Sequence, residues 1–207
     1  MLKKGWITFV FGAGRIGQKD GDGMALHHHA GGYQLEKPVY FIGFMGAGKT
    51  SVSQYLAKTC GLASIDADEY LELLEDRIIA DIFAEDGEDA FRNMESRYLA
   101  ELSQRSPRFI ACGGGVVKRP QNAVTMKNSG FVVYLGVTAE AAAARIPNTD
   151  SRPLFKNLDV ARATLTQREP LYKAAADVYV ETTDRGVPEI AEEVQRILAD
   201  RGILVKE

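Results

Sequence analysis

Eight residues constrain this chain more than any other stretch. Gly43-Phe44-Met45-Gly46-Ala47-Gly48-Lys49-Thr50 fits G-x-x-x-x-G-K-[ST] without a departure. The apolar run Val39 to Phe44 reads as a strand leading into it, and Ser51 to Lys58, with Val52, Tyr55 and Leu56 at helical spacing, reads as the helix leaving it. A strand, a glycine-rich loop and a helix in that order turn backbone N–H groups of Gly46, Ala47, Gly48, Lys49, Thr50 and Ser51 toward an anion at the helix N-terminus. Lys49 is then placed to reach nucleotide phosphates, and the Thr50 hydroxyl to meet the Mg²⁺ that accompanies them. A bare structural turn would not require the lysine and the threonine.

The rest of the composition bounds the setting. A chain of 207 residues, 45% hydrophobic and 26% charged, has enough apolar material for one globular domain. A net charge of −3 without a dense basic stretch argues against extended nucleic-acid binding. No apolar run approaches bilayer length, so no membrane partner is expected. Cys60 and Cys112 are too few for a disulfide framework and suit a reducing cytoplasm; a monomer is expected.

The segment 1–37 differs from the rest of the chain. It is glycine-rich, holds His27, His28 and His29, and shows no sustained periodicity beyond Trp6 to Phe11. Gly12, Gly14 and Gly17 match G-x-G-x-x-G with Glu36 downstream, but Gln18 to Gly32 carries four further glycines where a dinucleotide site needs a helix. Signal-peptide and transit-peptide readings fail on the brevity of the apolar stretch and on Asp20, Asp22 and Glu36. The segment is therefore expected to be a flexible, irregular extension, and no function is assigned to the histidines.

A GTPase would carry an Asn-Lys-x-Asp reader, and a motor or transporter ATPase a long apolar strand ending in Asp; neither is found. Instead the acids nearest the loop are Asp66 and Asp68 in Ser64-Ile65-Asp66-Ala67-Asp68. With the loop Gly43 to Thr50 and this D-x-D pair stand Ala80-Asp81-Ile82-Phe83 and Phe91-Arg92, the triplet Gly113-Gly114-Gly115, and Asn148 to Leu154 with Arg168-Glu169-Pro170-Leu171-Tyr172. In order and spacing these blocks closely resemble the shikimate kinase family, from about Val39 to the C-terminus. The resemblance implies an α/β P-loop kinase fold: a doubly wound parallel sheet with helices on both faces, spanning 38–207, with a lid near 147–157. It also implies MgATP-dependent phosphorylation of the 3-hydroxyl of shikimate, on the route to aromatic amino acids. A P-loop kinase for another small acceptor such as gluconate or a nucleoside monophosphate, and a nucleotide-binding module without turnover, are the alternatives.

Within that resemblance, Asp66 joins Thr50 on the magnesium side, and Asp68 binds the acceptor hydroxyls and orients or deprotonates the attacking one. The competing role for Asp68 is to cap a helix over Glu69 to Leu74. Arg92, beside the helical stripe Phe91, Met94, Tyr98, Leu102, and Arg168 grip the acceptor carboxylate; otherwise Arg92 pairs with Glu88 or Glu95. Gly113, Gly114 and Gly115 let the acceptor approach the backbone. Arg152 on the lid meets the transferring phosphate, and Arg145 packs on adenine or serves a helix C-terminus. Pro170 is expected to interrupt helix near Glu169, and Cys112 to be a buried small residue.

Overall fold

The computed structural model describes residues 32–146 and 157–207. A parallel five-stranded sheet holds β2 (Val39–Ile42), β3 (Ser64–Asp66), β4 (Phe109–Ala111), β5 (Phe131–Gly136) and β6 (Val178–Glu181) in the order β3-β4-β2-β5-β6. Parallel neighbours require crossovers, and the helices that supply them cover both faces. The side-chain period of a strand therefore sends alternate residues into two cores. Val39 and Phe41 of β2, with Val133 and Leu135 of β5, pack among α1 (Lys49–Cys60) and α8 (Val187–Asp200). Tyr40 and Ile42, with Val132 and Tyr134, pack on the opposite face among α2 (Ala67–Glu75), α4 (Gly87–Ser103), α5 (Pro120–Ser129) and α7 (Leu158–Ala175). This is the doubly wound arrangement expected. The short α3 (Ile79–Glu85) and α6 (Ala139–Ala144) complete the α-helices among the described residues. No helix among them is long and apolar enough to cross a membrane.

Two expectations need correction. The irregular extension does not reach residue 37: β1 (Tyr33–Leu35) pairs antiparallel with β7 (Leu204–Lys206), and Glu36 donates its N–H to Ile203 O at 3.0 Å. Leu35 faces the α1/α8 core. Three residues are too short for a periodic signal, and their partner lies at the other end of the chain. The remaining part of the extension, residues 1–31, lies outside the described residues, as does 147–156 of the lid. Leu35→Ala is expected to cost about 2–3 kcal/mol through lost burial and an unfilled cavity, lowering the midpoint of thermal unfolding by roughly 5–10 °C. An unchanged midpoint in a thermal melt would return the strand to the extension.

The second correction is at Pro170. Helix α7 runs through it from Leu158 to Ala175. A proline inside a helix forfeits one hydrogen bond and crowds the preceding turn, at a cost of about 3 kcal/mol. One face of the turn beyond it is buried: Tyr172 and Ala175 are fully enclosed, and the Tyr172 ring stacks on Tyr134 with centroids 5.1 Å apart. That packing offsets the local penalty and holds the helix in register. The helix is capped by Asn157, whose side chain accepts from Asp159 N at 2.8 Å.

Candidate active site

The described functional residues gather at the C-terminal ends of β2, β3 and β4, where an open parallel sheet binds its ligands. After β2 the chain turns through Gly43 (φ +140°) and Gly46 (φ +78°) into Gly48 (φ 89°), which opens α1. A side chain at Gly46 would lie 2.7 Å from Ala142 O, so glycine is needed there for both its φ and its space. No side chain caps α1 and no acid stands in its first turn. The positive end of the helix is thus left to an external anion. The Lys49 ammonium lies inside the loop, donating to Gly43 O and Phe44 O at 3.0 Å each. Ala47 N–H is directed to Phe44 O at 3.2 Å, closing a turn within the cradle.

Asp66, at the end of β3, divides its carboxylate. Oδ2 accepts from the Thr50 hydroxyl at 2.6 Å, while Oδ1 accepts from Asp68 N at 3.0 Å and Glu69 N at 3.3 Å. The cap of α2 is therefore Asp66, and not Asp68 as the competing role would have it. Asp68 sits inside the first turn, with its side chain toward the glycine triplet. A hydroxyl and one carboxylate suit Mg²⁺, which keeps several waters and takes its other oxygens from phosphates. Among the described residues no group of three or more His, Cys, Asp or Glu stands ready to hold a metal alone.

The triplet after β4 is the floor between the two halves of the site. A methyl group on Gly113 would lie 2.6 Å from Asp68 Oδ1 and 2.9 Å from Glu95 Oε1, and one on Gly115 would strike the Arg92 guanidinium. Arg92 is only 9% exposed, a burial that a charge tolerates when paired. It donates from Nη1 to Glu95 Oε2 at 2.7 Å and from Nε to Glu88 Oε1 at 3.3 Å, so both sequence-level partners are engaged at once. Lys118 pairs with Glu88 and Arg119 with Asp89, tying α4 to the turn before α5. From α7, Arg168 Nη1 donates to Gly114 O at 3.2 Å, and the Tyr172 hydroxyl donates to the same carbonyl. Arg92, Arg168 and Asp68 thus surround one short loop.

Arg145 stands at the C-terminal end of α6, one of the two places its sequence position allowed. At the end of α6 its guanidinium donates to Gly46 O at 3.3 Å, to Thr182 Oγ1 at 3.1 Å, to Thr182 O, and to Arg185 O at 3.4 Å. It fastens the phosphate loop to the segment after β6, a structural tie that sequence position alone did not indicate. Ser51 lies exposed in the first turn of α1. Cys112 is buried, and burial pushes its thiol up, which suits packing and not nucleophilic attack. Arg152 lies outside the described residues.

Sequence reasoning missed Glu95 and Tyr172 as members of the site. Glu95 was visible as a polar interruption: Phe91, Glu95, Tyr98 and Leu102 follow helical spacing, and the structure buries all four while Met94 is only partly covered. Burial pushes the Glu95 carboxyl up to about 7; Arg92 opposes this and the Asp68 charge adds to it. Burial likewise pushes the Tyr172 hydroxyl up to about 12, keeping it a neutral donor.

A phosphate-binding loop on a doubly wound parallel sheet, with its lysine, threonine and strand-end aspartate assembled and an acid-and-arginine cluster across the glycine floor, defines a P-loop kinase. A family model described as shikimate kinase matches residues 45–199. A shikimate kinase of Dehalococcoides mccartyi is 40% identical over 164 residues, covering 78% of this chain and 93% of the relative. One of Bacillus cytotoxicus is 37% identical over 162 residues, covering 77% and 97%. The solved shikimate kinase from Acinetobacter baumannii in complex with shikimate is 33% identical with a TM-score of 0.75, covering 80% of this chain and 94% of that one. The chain belongs to the shikimate kinase family.

Proposed function

We propose that this protein transfers the γ-phosphoryl group of MgATP to the 3-hydroxyl of shikimate, as a cytoplasmic monomer whose kinase domain begins at the β1 strand. The observation that carries the reading is the meeting of Asp68, Arg92 and Arg168 at Gly113 to Gly115, directly beside the backbone of the phosphate loop at Gly43 to Met45. Gluconate and shikimate are both carboxylates, so the arginines alone do not separate them. Membership of the family does, and it favours shikimate over gluconate, a nucleoside monophosphate or a module without turnover.

In this mechanism the uncapped start of α1, from Gly46 to Ser51, receives the β- and γ-phosphates. Lys49 exchanges its two loop carbonyls for phosphate oxygens and follows the charge as it moves to the acceptor. Thr50 and Asp66 would hold Mg²⁺, which when bound would neutralise phosphate charge. Asp68 accepts a hydrogen bond from the attacking hydroxyl and takes its proton as the new P–O bond forms. Arg92 and Arg168 anchor the acceptor carboxylate, with Gly113, Gly114 and Gly115 leaving room for the ring. Arg145 lends rigidity to the loop and a flat face beside the adenine. Arg152, carried over from the family resemblance by sequence position, closes on the transferring group from the lid and excludes water.

The grip is tested by Arg92→Ala. Because the carboxylate is bound in ground state and transition state alike, its loss should raise KM for shikimate about 10- to 100-fold, the worth of a charged hydrogen-bonded pair, with a smaller fall in kcat. Initial-rate kinetics with shikimate and MgATP check this, alongside a thermal melt because Glu95 loses its partner. A variant that stays folded and keeps its KM would remove the carboxylate anchor from Arg92.

A further inference from the structure

The Glu95 carboxylate has two oxygens in unlike surroundings. Oε2 is bonded to Arg92, but Oε1 is buried and has no hydrogen-bond partner among the described residues. The same oxygen and Asp68 Oδ1 both lie within 3 Å of the place a methyl group on Gly113 would take. A bare, buried carboxylate oxygen beside a second carboxylate is the environment that most disfavours the ionised form. One added proton changes the balance, because a protonated carboxyl donates where the carboxylate only accepted.

Charged groups on three helices bear on the ionisation of Glu95. Arg92 on its own helix and Arg168 on α7 favour the anion; Asp68 on α2 opposes it, and Cys112 after β4 and Tyr172 on α7 are neutral neighbours. Glu88, two turns back on α4, shares Arg92 but is itself paired with Lys118. The positive side of this balance is thus the same pair of arginines assigned to the acceptor carboxylate.

We propose that Glu95 is a positioning residue that takes up a proton from solvent as the acceptor carboxylate is seated, so that acceptor binding is proton-linked. The incoming carboxylate draws on Arg92 and Arg168, and Glu95 loses the attraction that kept it ionised. Protonated at Oε1, it donates to Asp68 or to an acceptor hydroxyl and holds Asp68 in place, while Oε2 keeps Arg92 oriented. The buried setting already brings Glu95 to the edge of this change near neutrality. The inference rests on the reading of shikimate as the acceptor.

The sign comes from linkage: a group with a higher pKa in the complex than in the free protein favours binding at lower pH. If only the protonated form binds well, Kd for shikimate should weaken about tenfold from pH 6 to pH 8, with uptake of about half a proton per site near pH 7. The experiment is titration calorimetry with shikimate and no nucleotide, since the γ-phosphate titrates in the same range. It is run in two buffers of different ionisation enthalpy, on the full chain and on Glu95→Gln. The wild type should show buffer-dependent heat and the sloping Kd. Glu95→Gln, which resembles the protonated form in shape and donor capacity, should bind with similar affinity at pH 6, without proton uptake and with Kd flat to within about twofold. A wild type with equal heats in both buffers and a flat Kd would overturn the proposal, as would a glutamine variant with the wild-type slope. The two-buffer comparison decides the matter on the wild type alone if the variant does not fold. Absence of any shikimate binding would instead remove the assigned acceptor, and the proposal with it.

Discussion

Lys49→Ala is expected to lower kcat by about 10²–10³-fold, the scale seen when one preorganised charge-stabilising donor is removed from a transition state. The residue emerges from the first turn of α1 and turns back into the loop, where Gly43 O and Phe44 O hold its ammonium at 3.0 Å. Those carbonyls prearrange the charge without neutralising it. The side chain is only half-buried and belongs to neither hydrophobic core, so truncating it opens no core cavity. Its loss should therefore leave the fold intact, with melting within a few degrees of wild type, while KM for ATP rises and kcat falls. Steady-state kinetics over both substrates separate these effects; a folded alanine variant with near-normal kcat would take Lys49 out of phosphoryl stabilisation.

Asp68→Asn should be nearly as damaging, lowering kcat by about 10²–10⁴-fold, the usual contribution of a positioned general base. The substitution keeps the size of the side chain, so the close approach to Gly113 is preserved, and the cap of α2 is untouched because Asp66 supplies it. What is lost is an acceptor able to take the hydroxyl proton. The amide also relieves repulsion on Glu95, and the variant should stay folded. Parallel measurement of kcat and thermal midpoint distinguishes this from misfolding: lost turnover in a stable protein supports the assignment, and retained turnover contradicts it.

The division between what the sequence disclosed and what it concealed tracks the range of the interactions. The phosphate loop was legible because its requirements are local: glycine conformation, a lysine and a hydroxyl at fixed offsets, and a helix directly after. The parallel two-faced sheet was legible only from the family resemblance. Arg92 and Asp68 were identifiable as candidates, but not their meeting at Gly113 to Gly115, which depends on β3 lying beside β4. Helix α7 defeated the local rule at Pro170 because Tyr172 and Ala175 are held by the sheet beneath them. Strand β1 was hidden because its partner is at the opposite end of the chain. Glu95 looked like one half of a surface ion pair, and only its burial on the apolar face of α4 gives it another role. Arg145 was placed by motif position, yet its bonds to Gly46 and Thr182 arise from the approach of α6 to the end of β6.

The most direct measurement is ADP release from MgATP in a coupled assay, with shikimate, gluconate and AMP offered in turn to the full chain. Saturable, Mg²⁺-dependent turnover with shikimate, and only background ADP release with gluconate and AMP, is the expected result. Background release with shikimate, or equal turnover with gluconate, would contradict the assignment of Asp68, Arg92 and Arg168 to a shikimate site.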